Sequence, residues 1–229
     1  MKPYKIRILE STIFSEDNIL AGICRKMIFY LLGNRIKIKG HNNVINIRGL
    51  YFKSKIIING NNNTINVAPR GVSKGIRIEM IGNDNNISIG EFTHFTGTLI
   101  SCCDDNNVII IGKDGNIGKS NICCMEGRKI IIGDGNLMSF DIEMRTSDGH
   151  SIFDEDGRRV NSSKDINIGE NVWISQRCMI FKGTTIPNNV VIGANSLVNK
   201  PLDKSNSVYV GIPIRCIKEK ITWKHEREN

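Results

Sequence analysis

An all-β chain wound as a parallel β-helix, a triangular prism of stacked coils, is the fold that the sequence predicts, on three observations. Ile168, Ile174, Ile180, Ile186, Ile192 and Val198 recur at six-residue steps without a slip. That period fits neither the 3.6 of a helix nor the 2 of a plain strand, so one aliphatic side chain enters the core per short strand plus corner. Upstream, looser repeats, IKIKGHNNVINI, IIINGNNNTINV, IEMIGNDNNISI, VIIIGKDGNI and KIIIGDGNLM, carry the same aliphatic strands between Asn- and Gly-rich corners. Finally, 40% of the 229 residues are hydrophobic but only 6% aromatic, which suits a narrow interior filled by Ile and Val better than a broad globular core.

The elements follow in order. Residues 1–35 form an N-terminal segment, in which Ser15 is placed to cap an amphipathic helix with Ile19, Leu20, Ile23, Met27 and Leu31 on one face and Gly33-Asn34 as its stop. Arg25 and Lys26 interrupt that face, so it is not read as a membrane span, and no secretory signal is recognised before it. From Ile36 to Val210 the coils run as one β-helix domain. Asn42-Asn43, Asn61-Asn62-Asn63 and Asn85-Asn86 read as stacked corner residues rather than a ligand surface, because Asn and Gly accept positive φ.

Ile111 to Ile132 is a step of 21 residues, one coil plus a bulge, and Cys102-Cys103 and Cys123-Cys124 share it. The two pairs therefore stack one coil apart, with one member of each packed inward. Ile132 to Ile168 is a step of 36, read as two coils in phase, with hexads that fail around 145–165 and mark a protruding loop. Three hexads make one turn in the run INIGEN, VWISQR, CMIFKG, TTIPNN, VVIGAN and SLVNKP, with successive turns stacked at about 4.8 Å. Residues 211–229 complete the chain as a C-terminal loop and a charged tail, expected to fray around His225.

Seven cysteines without a CxxC motif indicate reduced thiols and a cytoplasmic protein, and vicinal pairs chelate poorly, so no metal is expected. The formal charge of +8 raises the question of a polyanionic partner. The basic residues are dispersed along the chain and not interleaved with aromatics, which argues against nucleic acid. A phosphorylated cofactor such as coenzyme A, or an acidic glycan, suits the charge.

The hexads with their Ile-Gly and Val-Ile-Gly corners, followed by Val210-Gly211-Ile212-Pro213, resemble the hexapeptide-repeat acyltransferases. That resemblance, and not the spacing, implies a left-handed winding, since crossovers between parallel strands are otherwise right-handed. The segment SFDIEMRTSDGHSIFDEDGRRVN, followed by KDINIGENVWIS, is similar to the catalytic region of sugar O-acetyltransferases of that family, including those acting on capsular polysaccharides. The resemblance is most specific over Ser139 to Lys218. It implies an acetyl-CoA-dependent O-acetyltransferase with His150 as general base, assembled as a homotrimer with its sites between neighbours.

Chemistry independently favours a histidine. A sugar hydroxyl must lose its proton as it attacks a thioester, and imidazole, with a reference pKa of about 6.5, is suited to accept it near neutral pH. Asp148, Glu143 and Asp141 are all near enough in sequence to hold the second ring nitrogen, and Asp148 stands in the same loop. By resemblance, a backbone amide near Ser175 or Gln176 donates to the thioester oxygen, with Ser175 standing where the family has glycine. Gln176, Ala194, Asn199, Lys200 and Arg215 lie along the implied coenzyme A path, Asn199 replacing a commoner threonine, and Gly211 and Pro213 shape a turn near the adenine. Trp173 reads as flanking the acceptor or the donor channel, or as packing between subunits. Arg145, Arg158 and Arg159 surround the His150 loop and suit an acidic acceptor.

Other readings carry less. An N-acetyltransferase of an amino-sugar nucleotide remains the alternative within the class, although no G-x-G-x-x-G follows a strand. The helical domain of a serine acetyltransferase is absent, and His41, His94 and His150 are out of phase for a zinc carbonic anhydrase. A non-catalytic glycan-binding β-helix is the alternative outside the class. The Thr-x-Thr rows of ice-binding prisms do not occur.

Overall fold

The structure, a computed structural model, describes residues 4–8 and 27–226. Strands too short to hold a sheet alone stack into three flat faces of eight, nine and eight strands, with every third strand returning to the same face. Face one begins at Tyr4–Ile8 and Asn43–Ile47 and ends at Thr185–Ile186. Face two runs from Leu50–Phe52 to Ser207–Val210 and is closed by the antiparallel strand Arg215–Glu219. Face three runs from Arg35–Lys39 to Leu197–Val198. All other pairings between coils are parallel, in about seven turns. The strand Tyr4–Ile8, paired with Asn43–Ile47, was not assigned from the sequence. Residues 27–31 are helical, and the rest of the expected helix from Ser15 lies outside the described residues. Among the described residues no helix is long and apolar enough to cross a membrane.

The prism exists because most of its strands send one or two apolar side chains inward, chiefly Ile and Val. Ile45, Ile65, Ile87, Ile109, Ile130 and Ile166 form one register column on face one, each fully buried. The six hexad residues from Ile168 to Val198 are likewise all inside. At roughly 1.5–3 kcal/mol per buried aliphatic side chain, these columns are the main stabilising term.

Corners are turned by residues with positive φ, among them Asn42, Asn62, Asp84 and Asn106, stacked between faces three and one. Gly40 precedes that corner where a Cβ would meet the Gly60 carbonyl oxygen at 2.0 Å, so no larger residue fits. Beside them runs a buried ladder: Asn63 Nδ2 donates to Asn43 Oδ1 at 3.1 Å, Asn85 Nδ2 to Asn63 Oδ1 at 3.0 Å, and Asn107 Nδ2 to Asn85 Oδ1 at 3.1 Å. The backbone amides of Asn63, Asn85 and Asn107 donate to the same oxygens. Corner asparagines thus pair with one another. Asn85→Ala removes the acceptor of two buried Asn107 donors, and we expect a loss of roughly 2–4 kcal/mol in chemical denaturation. A loss below about 1 kcal/mol would mean that the ladder is not a stabilising element.

Two spacings come out differently from the sequence reading. Ile132 and Ile168 are direct register partners, so the 36-residue step is one coil carrying an insertion, not two coils. The inserted residues are the protruding loop. The cysteine pairs do lie on adjacent coils, but Cys102 is in register with Cys124, a step of 22. Cys102 and Cys124 point inward, and the Sγ atoms of Cys103 and Cys123 meet outside at 3.4 Å.

Candidate active site

The loop leaves face three after the strand Ile142–Arg145 and re-enters face one at the strand Ile166–Ile168. Its base is closed where the Lys164 amide donates to the Thr146 carbonyl at 3.0 Å. Thr146 is buried, its Oγ1 exchanging bonds with the backbone of Met125. Glu126 grips the loop from the coil before: Arg159 donates to both its carboxylate oxygens, at 2.7 and 2.8 Å, and Ser147 Oγ adds a third bond. The Arg159 guanidinium, then the Ser147 hydroxyl, hold the Glu126 carboxyl down at about 2.

Asn161 braces the inside of the loop. Its Nδ2 donates to Asp148 Oδ2 and to the His150 carbonyl, both at 2.8 Å, and its Oδ1 accepts the Ile152 amide at 2.7 Å. Lys182 reaches from the next coil to pair with Asp148 and to bond the Asn161 carbonyl. Lys182 and Asn161 together lower the Asp148 pKa. The outer part is a small hairpin bridged at Phe153 and Arg159, with Asp154 Oδ1 accepting the amides of Asp156 and Arg158.

This bracing fixes the backbone at His150 and leaves the imidazole exposed. Among the described residues nothing bonds the ring. The three carboxylates considered for that role are engaged elsewhere: Asp148 with Lys182, Glu143 with Arg145 and Asn121, and Asp141 with Lys119. Among the described residues Asp148 bonds Asn161 and Lys182 and makes no hydrogen bond to the ring.

The donor-side residues sort to the two edges of face three. Gln176 and Ala194 stack at the corner between faces two and three, where the Asn195 amide donates to the Gln176 carbonyl at 3.0 Å and the Arg177 amide to the Phe140 carbonyl at 3.0 Å. The Ser175 amide is spent on the Ile192 carbonyl at 2.9 Å, whereas the Gln176 amide has no partner among the described residues. Asn199 and Lys200 are exposed at the opposite corner, beyond the strand Leu197–Val198, and Arg215 is exposed on the closing strand. The His150 loop also leaves from that opposite corner. Asp141 and Thr146 are five residue steps apart across the face, about 16 Å of extended chain. One chain therefore does not bring His150 and Gln176 together. On the Gln176 side, a groove of about 400 Å³ lies between Leu99, Lys119, Asn121, Asp141 and Glu143.

The remaining residues are placed as follows. Arg145 pairs with Glu143 on the outer surface of face three, and Arg158 is exposed with Asp156 at 3.4 Å. Arg159 is committed to Glu126. Trp173 lies on face two, 5.9 Å from Trp223, whose Nε1 donates to the Asn171 carbonyl at 2.7 Å. His225 stacks on Trp223 at 4.9 Å and lies 3.1 Å from the Gly135 carbonyl, so the expected frayed tail is instead laid along face two. Among the described residues no three His, Cys, Asp or Glu side chains gather as metal ligands. The sequence reading missed Glu126, Asn161 and Lys182. Lys182 was within reach, because a 36-residue coil puts Phe181 beside Arg145 and hence Lys182 beside the start of the loop.

No protein-family model matches the chain. It is 34% identical over 190 residues to the polysialic acid O-acetyltransferase of Neisseria meningitidis, covering 81% of this chain and 87% of that protein. It is 36% identical over 102 residues to the galactoside O-acetyltransferase of Escherichia coli K12, covering 43% of this chain and 48% of the relative. Among solved structures, the polysialic acid O-acetyltransferase OatWY superposes with a TM-score of 0.80 at 30% identity, covering 85% of this chain and 93% of that one. The polySia-specific acetyltransferase NeuO does so at 0.75 and 26% identity, covering 86% and 91%.

Proposed function

The chain belongs to the hexapeptide-repeat O-acetyltransferases, left-handed β-helix enzymes that include the polysialic acid acetyltransferases it matches, and we propose that it transfers acetyl directly from acetyl-CoA to a hydroxyl of an acidic capsular polysaccharide. The observation that carries this reading is the braced loop: Glu126 and Lys182 from the two neighbouring coils, with Asn161 of the loop itself, fix the backbone beside His150 while its imidazole stays open to a substrate. A surface loop of no function needs no such bracing.

In the proposed step His150 accepts the proton of the acceptor hydroxyl as its oxygen attacks the thioester carbon. The Gln176 amide, without a partner among the described residues, donates to the oxygen that gains charge. As the C–S bond breaks, the proton passes from His150 to the departing thiolate, leaving CoA thiol and an acetyl ester. Arg215, exposed on the closing strand, and Lys200, exposed beyond the strand Leu197–Val198, suit the phosphates of the donor. Because His150 and Gln176 sit on opposite edges of one face, the site needs two copies side by side, which supports the homotrimer. A cytoplasmic location fits the supply of acetyl-CoA and the free thiols.

The test is purified protein with acetyl-CoA and polysialic acid. We expect thiol release that needs both substrates and an acetyl group on the polymer that hydroxylamine removes, as it does an ester. A hydroxylamine-stable product would point to the N-acetyl alternative. Failure to acetylate any acidic polysaccharide would sink the reading.

A further inference from the structure

From Met27 to Ile81 the chain carries nine cations, Arg35, Lys37, Lys39, Arg48, Lys53, Lys55, Arg70, Lys74 and Arg77, against one carboxylate, Glu79. In sequence they look scattered. The coil lengths gather them: Arg35, Lys55 and Arg77 are register neighbours on three successive strands of face three. Lys37 and Lys39 share the first of those strands and are exposed beside them. Like charges set directly opposite across strands destabilise a sheet. Glu79 takes up Arg77, but Arg35, Lys37, Lys39 and Lys55 have no ion-pair partner among the described residues. Such a column is best compensated by an anionic ligand.

We propose that the N-terminal third of face three is a second binding site, a docking track for an anionic polysaccharide that is acetylated further along the same face; this rests on the reading of the acceptor given above. The geometry suits a chain of acidic sugars. Cations in the column repeat at the strand spacing of about 4.8 Å, close to the length of one hexose unit. Five strand spacings separate Arg35–Lys39 from the strand Ile142–Arg145, from which the His150 loop departs, or about 24 Å. A few sugar units therefore bridge the track and the loop. The surface between them includes the groove at Leu99, Asn121 and Glu143. Nucleic acid fits less well, because the outward side chains of the three basic strands include no aromatic ring on which a base would stack.

The experiment compares wild type with the quadruple variant Arg35→Gln, Lys37→Gln, Lys39→Gln, Lys55→Gln, using long-chain polysialic acid, its trimer and a single-stranded RNA homopolymer as probes. We expect the variant to bind the long polymer at least about tenfold more weakly, with a shallower dependence on salt because fewer counterions are released. The KM values for trimer and acetyl-CoA, and the circular dichroism, stay as in wild type. Three results would each overturn the track: unchanged affinity for the long polymer in the variant, wild type that binds polymer no better than trimer, or RNA bound more tightly than polymer. Wild type that binds the polymer through these residues without acetylating it would sink the catalytic reading and leave the track standing. Acetylation of the polymer with an unaltered KM in the variant would do the reverse.

Discussion

His150→Ala lowers kcat by about 10²–10⁴, the contribution expected of a general base, while the melting temperature and the stabilisation by acetyl-CoA stay as in wild type. The separation follows from the structure. The loop is held by Glu126, Asn161 and Lys182 through the Arg159 side chain, the Asp148 carboxylate and the backbone at residues 150 and 152. None of those bonds uses the imidazole, so removing it releases nothing that shapes the loop. The measurement is steady-state thiol release at saturating donor, beside thermal melts with and without acetyl-CoA, where a bound ligand raises stability by mass action. Turnover within tenfold of wild type would remove His150 from the chemistry.

Gln176→Pro is the sharper test of the opposite side, with an expected fall in kcat of about 10²–10³, as for loss of one oxyanion donor. The substitution deletes a backbone donor at this corner that has no acceptor among the described residues. It also suits the local backbone: Arg177 has φ of 59°, as at the third position of a type II turn, and proline is favoured at the position before it. Ser175 keeps its bond to Ile192, so the coil should close as before. Gln176→Ala, which retains the amide, is the control and should keep most of the turnover. Equal losses in the two variants would assign the effect to the side chain and reject the amide.

Much of this architecture was legible because a solenoid writes its geometry into spacing. Ile168 to Val198 announced their burial through period alone, and the corner asparagines announced their stacking through repetition. Where coil length varies, spacing becomes ambiguous: 36 residues fit two regular coils as well as one coil with an insertion, and the sequence does not say which. That ambiguity hid Lys182, whose partner Asp148 is 34 positions away in sequence. Ion pairs were hidden for another reason. Arg159 read as a ligand for an acidic acceptor because nothing in its own segment shows that Glu126, 33 residues earlier, faces it. The cations of the first coils looked dispersed until steps of 20 and 22 residues placed three of them in one column.

The pairing of Trp173 with Trp223 has a spectroscopic consequence. They are the two tryptophans of the chain, and they lie together on face two, in the last coils and the tail laid over them. Intrinsic fluorescence excited at the red edge thus sees one end of the molecule and is blind to the other. Coils of a prism contact only their neighbours, so they need not melt together. Far-ultraviolet dichroism averages over every strand, and a gap between its transition and that of the emission would measure how far cooperativity extends along the axis.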